Sequence, residues 1–188
     1  MRLHYMGKYS GDESTLPQRE HPEGYVPFRE PQSMKSLAIR LNIAAIAVMA
    51  LCFYILYLRT GRFVFSDWGV LAATAAMFPH EFLHAICFKG DVYIYQNLKQ
   101  GMLFVVGLED MTKGRFLFMS LLPNIVFGFI PFLIFLINPS LSFFGTLGAV
   151  SIAMGAGDYM NVFNALTQMP SGALTYLSGM HSYWYIKG

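Results

Sequence analysis

Charge is what this 188-residue chain has least of: 13% of its residues are Asp, Glu, Lys or Arg, where a soluble domain carries about 25%. The deficit is concentrated in one part of the chain. Positions 116 to 186 contain one Asp and no Glu, Lys or Arg, and a water-facing surface cannot be built from such a stretch. Cysteine is nearly missing as well. Cys52 and Cys87 both lie in apolar runs, which excludes a disulfide framework and any CxxC site. A net charge of +2 without a basic cluster excludes a nucleic-acid binder. The 55% hydrophobic and 16% aromatic content excludes a disordered chain and an ordinary soluble enzyme. What remains is a small polytopic membrane protein.

The first 35 residues stand apart. They hold five basic and five acidic residues and four of the nine prolines, at 17, 22, 27 and 31, with no apolar run of signal-peptide type. They read as a polar N-terminal cytoplasmic tail with little fixed structure, ahead of a membrane domain over 36–188. A bilayer span takes about 20 mostly apolar residues. Four segments reach that length, at 36–58, 68–88, 116–137 and 141–165, the last two joined by a turn at Asn138-Pro139-Ser140. Between the second and third, β-branched and aromatic runs at 91–96 and 102–106 flank Leu98-Lys99-Gln100-Gly101, a hairpin pattern. The expected fold class is therefore all-α: a polytopic membrane protein of about four transmembrane helices, with a small cytoplasmic β-hairpin between helices 2 and 3. An interfacial tail follows at 166–188. Basic residues orient it. With both termini cytoplasmic, eleven of thirteen lie inside and only Arg59 and Arg62 outside, so the expected location is the cell membrane, multi-pass.

The second apolar segment contains His80-Glu81-Phe82-Leu83-His84. On a helix, His residues at i and i+4 project from one face and can share a metal ion, while Glu81 is turned about 100° from His80 and can serve a water instead. The chance expectation of this pattern at this composition is below about 1%. Ionisable groups at membrane depth are costly and persist mainly where they function. The plainer reading is a polar patch that packs a helix bundle.

Catalytic zinc needs a third protein ligand and leaves one position for water. The charge-poor region offers Asp158, in Gly155-Ala156-Gly157-Asp158-Tyr159-Met160-Asn161. Counted from the cytoplasmic ends of their spans at 88 and 165, His80 and Asp158 both lie on the order of 10–12 Å deep. They can meet. Gly145, Gly148, Ser151 and Gly155 share a broad face with Asp158 and permit close helix approach. Asp158 could instead be a helix-packing hydrogen bonder, and His181 is a rival ligand. Pro79 removes a helix hydrogen bond beside His80 and can admit water. Asn124, Asn161 and Asn164 are apolar-region amides, able to polarise a carbonyl, orient a ligand or bond across helices.

These passages carry a resemblance. An HExxH helix, a β-rich cytoplasmic segment, a middle span and an Asp on the next helix are similar to the core of the site-two intramembrane metalloproteases. The closest resemblance is to a related bacterial family of membrane zincins, whose patterns Leu122-Pro123-Asn124 and Gly157-Asp158-Tyr159-Met160-Asn161 also resemble. It covers about residues 68–188, with the core at 68–165. In the site-two proteases the Asp sits in a Leu-Asp-Gly setting after Asn and Pro; here it is Gly157-Asp158-Tyr159.

Residues and resemblance together lead to a zinc-dependent intramembrane or membrane-proximal peptidase. His80, His84 and Asp158 would hold Zn2+, Glu81 would be the general base, and Asn161 or Asn124 would help hold the oxyanion. The substrate would be a membrane protein or peptide, presented extended on the hairpin edge. The rival from another class is a non-proteolytic metal-binding protein or metal ion transporter in the bilayer, which the same His-His-Asp-Glu set would also serve.

Overall fold

The computed structural model describes residues 1–31, 33–97 and 102–187. It corrects the all-α expectation. Among the described residues the fold is mixed α/β, with a three-stranded and a four-stranded sheet. Among the described residues two helical runs, Lys35–Thr60 and Lys113–Ile137, are long and apolar enough to cross a membrane, rather than four.

The physical reason lies at two breaks. The expected span over 68–88 is split into α2 (Asp67–Ala75) and α3 (Met77–Ile86). Pro79 falls in the first turn of α3, where its missing N–H costs nothing, so it favours a new helix start over continuation. The expected span over 141–165 is split at Gly155 into α6 (Ser142–Met154) and α7 (Ala156–Gln168). These helices have 9, 10, 13 and 13 residues. At about 1.5 Å per residue none alone reaches the roughly 30 Å of a hydrocarbon core.

The chain forms two compact units, and α3 and α7 each run from one into the other. The first comprises Met1–Pro31, Glu81–Ser120 and Asn161–Gly188 and carries both sheets. Strands β1 (Arg2–Lys8), β3 (Asp91–Asn97) and β4 (Met102–Gly107) stand in the order β1-β3-β4, with β1 parallel and β4 antiparallel to β3. The two apolar runs read as a hairpin do pair, from Val92 opposite Gly107 to Asn97 opposite Met102. The turn expected at 98–101 lies outside the described residues. The second sheet has the order β2-β7-β6-β5, from β2 (Val26–Pro27), β5 (Met111–Thr112), β6 (Leu174–Ser178) and β7 (His181–Tyr185). The tail expected at the interface is thus the β6–β7 hairpin, turned at Gly179, whose φ of 63° suits glycine. Ala85, Phe88, Val92, Met111, Phe116 and Met119 belong to the buried core of this unit.

The N-terminal segment, read as a poorly ordered tail, is built into the same unit through β1 and β2. Arg19 donates to the Asp110 carboxylate and to the Leu108 carbonyl, both at 2.9 Å, and lies over the Tyr176 ring. His181 stands between two carboxylates of that segment, Glu13 at 3.8 Å from Nε2 and Glu30 at 3.7 Å from Nδ1. Glu30 chiefly, with Glu13 adding, raises the imidazole pKa above its ordinary value, against the opposing effect of burial. The charged form is the one these carboxylates hold. Its contribution to stability is therefore full below the ordinary imidazole value near 6.5 and is lost as pH rises through the raised one. Melting temperature followed across that window should fall with rising pH, and His181→Gln should flatten the dependence; an unchanged slope in the variant would exclude this latch.

The second unit comprises Gln32–His80 and Leu121–Met160. Its α1 (Met34–Thr60) begins at Ser33, whose hydroxyl accepts from the Ser36 N–H, and ends at Gly61 in the left-handed region. The other helical run joins α4 (Lys113–Asn124) through a π-helical turn (Ile125–Phe129) to α5 (Ile130–Ile137), and its part from Leu121 onward lies in this unit. Leu56, Phe135, Ala149 and Ile152 meet in the core. Small residues on α6 allow the close approach read from the sequence: a Cβ on Gly145 or Gly148 would lie 2.7 Å or 2.5 Å from Phe135 or Phe132 of α5.

Candidate metal centre

His80, Glu81 and His84 sit on α3, and one ligand atom from each lies within 4.8 Å of the others. This is the group of three or more His, Cys, Asp or Glu residues suited to a metal ion among the described residues. The i, i+4 spacing read from the sequence is therefore realised on a regular helix.

Asp158 stands against one member of this group, His80, although the helices that carry the two residues are not full-length spans. His80 Nε2 and Asp158 Oδ2 are 3.1 Å apart, both largely buried. Two donors on one tetrahedral zinc, with bonds of about 2.0–2.2 Å, stand roughly 3.3 Å from each other. The pair is already at that separation. Asn124, the last residue of α4, donates from Nδ2 to the same Asp158 oxygen at 2.7 Å. Gly155 makes room for this amide by having no side chain, because a Cβ there would lie 1.7 Å from Asn124 Oδ1. The glycine at which the helix is interrupted thus also leaves space for the residue bonded to Asp158.

His84 is buried, and its Nδ1 is 2.9 Å from the Met119 carbonyl oxygen. A carbonyl only accepts, so Nδ1 carries the proton and Nε2 is left as the coordinating nitrogen. Ligating histidines generally have their other nitrogen bonded in this way, which fixes tautomer and ring orientation. Two charged residues that the sequence reading passed over fasten the end of the same helix. Arg115 donates to the Cys87 carbonyl through Nε at 3.1 Å and through Nη2, and pairs with Glu109. Glu109 in turn accepts from the Lys89 and Gly90 N–H groups at 2.8 Å and 2.7 Å. Arg115 and Met119 are one turn apart on α4, and Cys87 and His84 three residues apart, so one stretch of α4 holds the helix end at two points.

The remaining candidates fall elsewhere. Asn161 is half-buried on α7, three residues beyond Asp158. Asn164 is buried, and its Oδ1 accepts from Gln168 Nε2 at 3.0 Å, an i, i+4 pair within α7. His181 lies in β7 between Glu13 and Glu30.

Two imidazoles and a carboxylate grouped on α3 are donors suited to zinc, and a second carboxylate, that of Asp158, stands against His80. Residues 73–174, more than half of the chain, match the family described as "Putative zincin peptidase". The chain belongs to this family. The matched region contains the zincin helix with His80, Glu81 and His84, and also Asn124 and Asp158. No curated protein and no solved structure matches the chain at a level that shows kinship.

Proposed function

We propose that this zincin is a zinc peptidase working within or beside a membrane. The observation that carries the hydrolytic reading is the α3 group with Asp158 Oδ2 at 3.1 Å from His80 Nε2. His80, His84 and Asp158 would hold the ion, Asn124 fixing Asp158 and the Met119 carbonyl fixing His84. Zinc bound there supplies Lewis-acid polarisation of a peptide carbonyl and makes water acidic enough to ionise near neutral pH. Glu81 takes the proton from the attacking water as its oxygen bonds to the carbonyl carbon. It returns that proton to the amine nitrogen as the C–N bond breaks. Asn161 or Asn124 would steady the oxyanion, and the bond from Asn124 Nδ2 to Asp158 leaves Asn161 as the favoured amide.

Membrane placement is supported by helices that are inside out for water. On α3, Phe78, Phe82 and Ile86 recur at i, i+4 and i+8 and are exposed, while His84 is hidden. The run from α4 through α5 exposes Phe118, Val126, Phe129, Leu133 and Ile137 and hides Ser120 and Asn124. Water would reverse both patterns, whereas lipid favours them. The α1 helix exposes Ile39, Ile43, Ile46 and Leu51 in the same way. The substrate class that fits is a membrane protein or peptide, unwound and laid along a strand edge of the β1-β3-β4 sheet.

The test is metal analysis of purified protein. About one zinc per chain is expected in the wild type and none in His80→Ala; equal zinc in both would end the reading.

A further inference from the structure

Pro123 lies inside α4. In an α-helix the carbonyl of residue 119 accepts the N–H of residue 123. Proline has no N–H, and its ring presses on the carbonyl four residues back. The sequence therefore deprives the Met119 carbonyl of its donor from position 123, and this is the oxygen that meets His84 Nδ1 at 2.9 Å. An ordinary residue at 123 would put an N–H in competition with the imidazole.

We propose that Pro123 is a positioning residue for the metal ligand His84: by withholding a helical donor from the Met119 carbonyl, it fixes the His84 tautomer and ring that present Nε2 to zinc. The next residue acts by the opposite means, since Asn124 adds a donor, to Asp158 at 2.7 Å. Leu122-Pro123-Asn124 thus supports two ligands, one through an absent N–H and one through a present one. Ligand affinity depends on such outer contacts by about 10–100-fold.

The inference rests on the zinc reading above, but the tautomer belongs to the metal-free chain and can be measured without the ion. Nitrogen-15 NMR of the histidines in detergent-purified full-length protein, with His84→Gln to assign the signals, should show His84 as the Nδ1–H form. Pro123→Ala should mix in the Nε2–H form and weaken zinc binding about 10–100-fold against a competing chelator. Thermal stability should be unchanged or higher, because alanine is the better helix residue. A proline that only shapes the helix would alter stability and leave tautomer and affinity alone. Pro131→Ala, which restores an N–H farther along the same apolar run, should leave both readouts unchanged. Wild-type His84 in the Nε2–H form, an unmoved tautomer in Pro123→Ala, or an equal loss of zinc affinity in Pro131→Ala would each overturn the proposal. A wild type with the Nδ1–H tautomer that takes up no zinc would instead overturn the zinc reading on which the metal half depends.

Discussion

Glu81→Gln is expected to keep its zinc while cleavage falls about 10²–10⁴-fold, the range for losing acid–base assistance. Glutamine preserves length and hydrogen-bonding capacity but cannot take a proton from water. Glu81 shares α3 with both histidines, whereas Asp158 is the carboxylate placed against His80 at 3.1 Å. On the proposed reading Asp158 is the ligand and Glu81 the base, so the two carboxylates should separate cleanly by experiment. The measurement is zinc content beside turnover of a membrane-peptide substrate, first shown to be cleaved by the wild type, in liposomes. Undiminished cleavage by the variant would sink the hydrolytic mechanism. Loss of zinc from it would make Glu81 a ligand and move weight to metal transport.

The grouping of His80, Glu81 and His84 was more legible in the sequence than the scaffold. A four-residue histidine spacing needs only one regular helix turn to become a shared face, and α3 supplies it. Asp158 was identifiable because no other acid occurs between 116 and 186. The helix count was not legible, because hydropathy measures apolar length and is blind to interruption. The runs at 68–88 and 141–165 are long enough to span, yet Pro79 starts one helix anew and Gly155 ends another. Gly155 was read as a packing residue, and packing does explain it. Its partner, Asn124, stands 31 positions away and is revealed only by tertiary structure.

The N-terminal segment shows the limit of compositional reading from the other side. Four prolines and ten charges over 35 residues describe a chain that cannot form a core alone. They do not describe one that borrows a core. Its strand β1 joins the edge of β3, its Arg19 pairs with Asp110, and its Glu13 and Glu30 flank His181 of β7. Glu109 and Arg115 were overlooked for a related reason. Besides each other, their partners are backbone groups at 87, 89 and 90, and backbone partners leave no mark in a sequence.

Asp158→Ala is expected to abolish stable zinc binding, whereas Asn124→Ala should only weaken it. The difference follows from their places in the site. Asp158 Oδ2 faces His80 Nε2 directly at 3.1 Å, while Asn124 would act on the ion through that carboxylate, by a hydrogen bond of 2.7 Å. Removing an outer contact of this kind costs about 10–100-fold in metal affinity. Removing one of three protein ligands costs more than that and leaves two imidazoles on a single helix, an incomplete catalytic zinc set. Zinc titration against a competing chelator, run on wild type, Asn124→Ala and Asp158→Ala, orders the three. Equal affinities for wild type and Asp158→Ala would place the third ligand elsewhere. Equal losses in the two variants would mean that Asp158 supports His80 without coordinating, because only a ligand should exceed its own support.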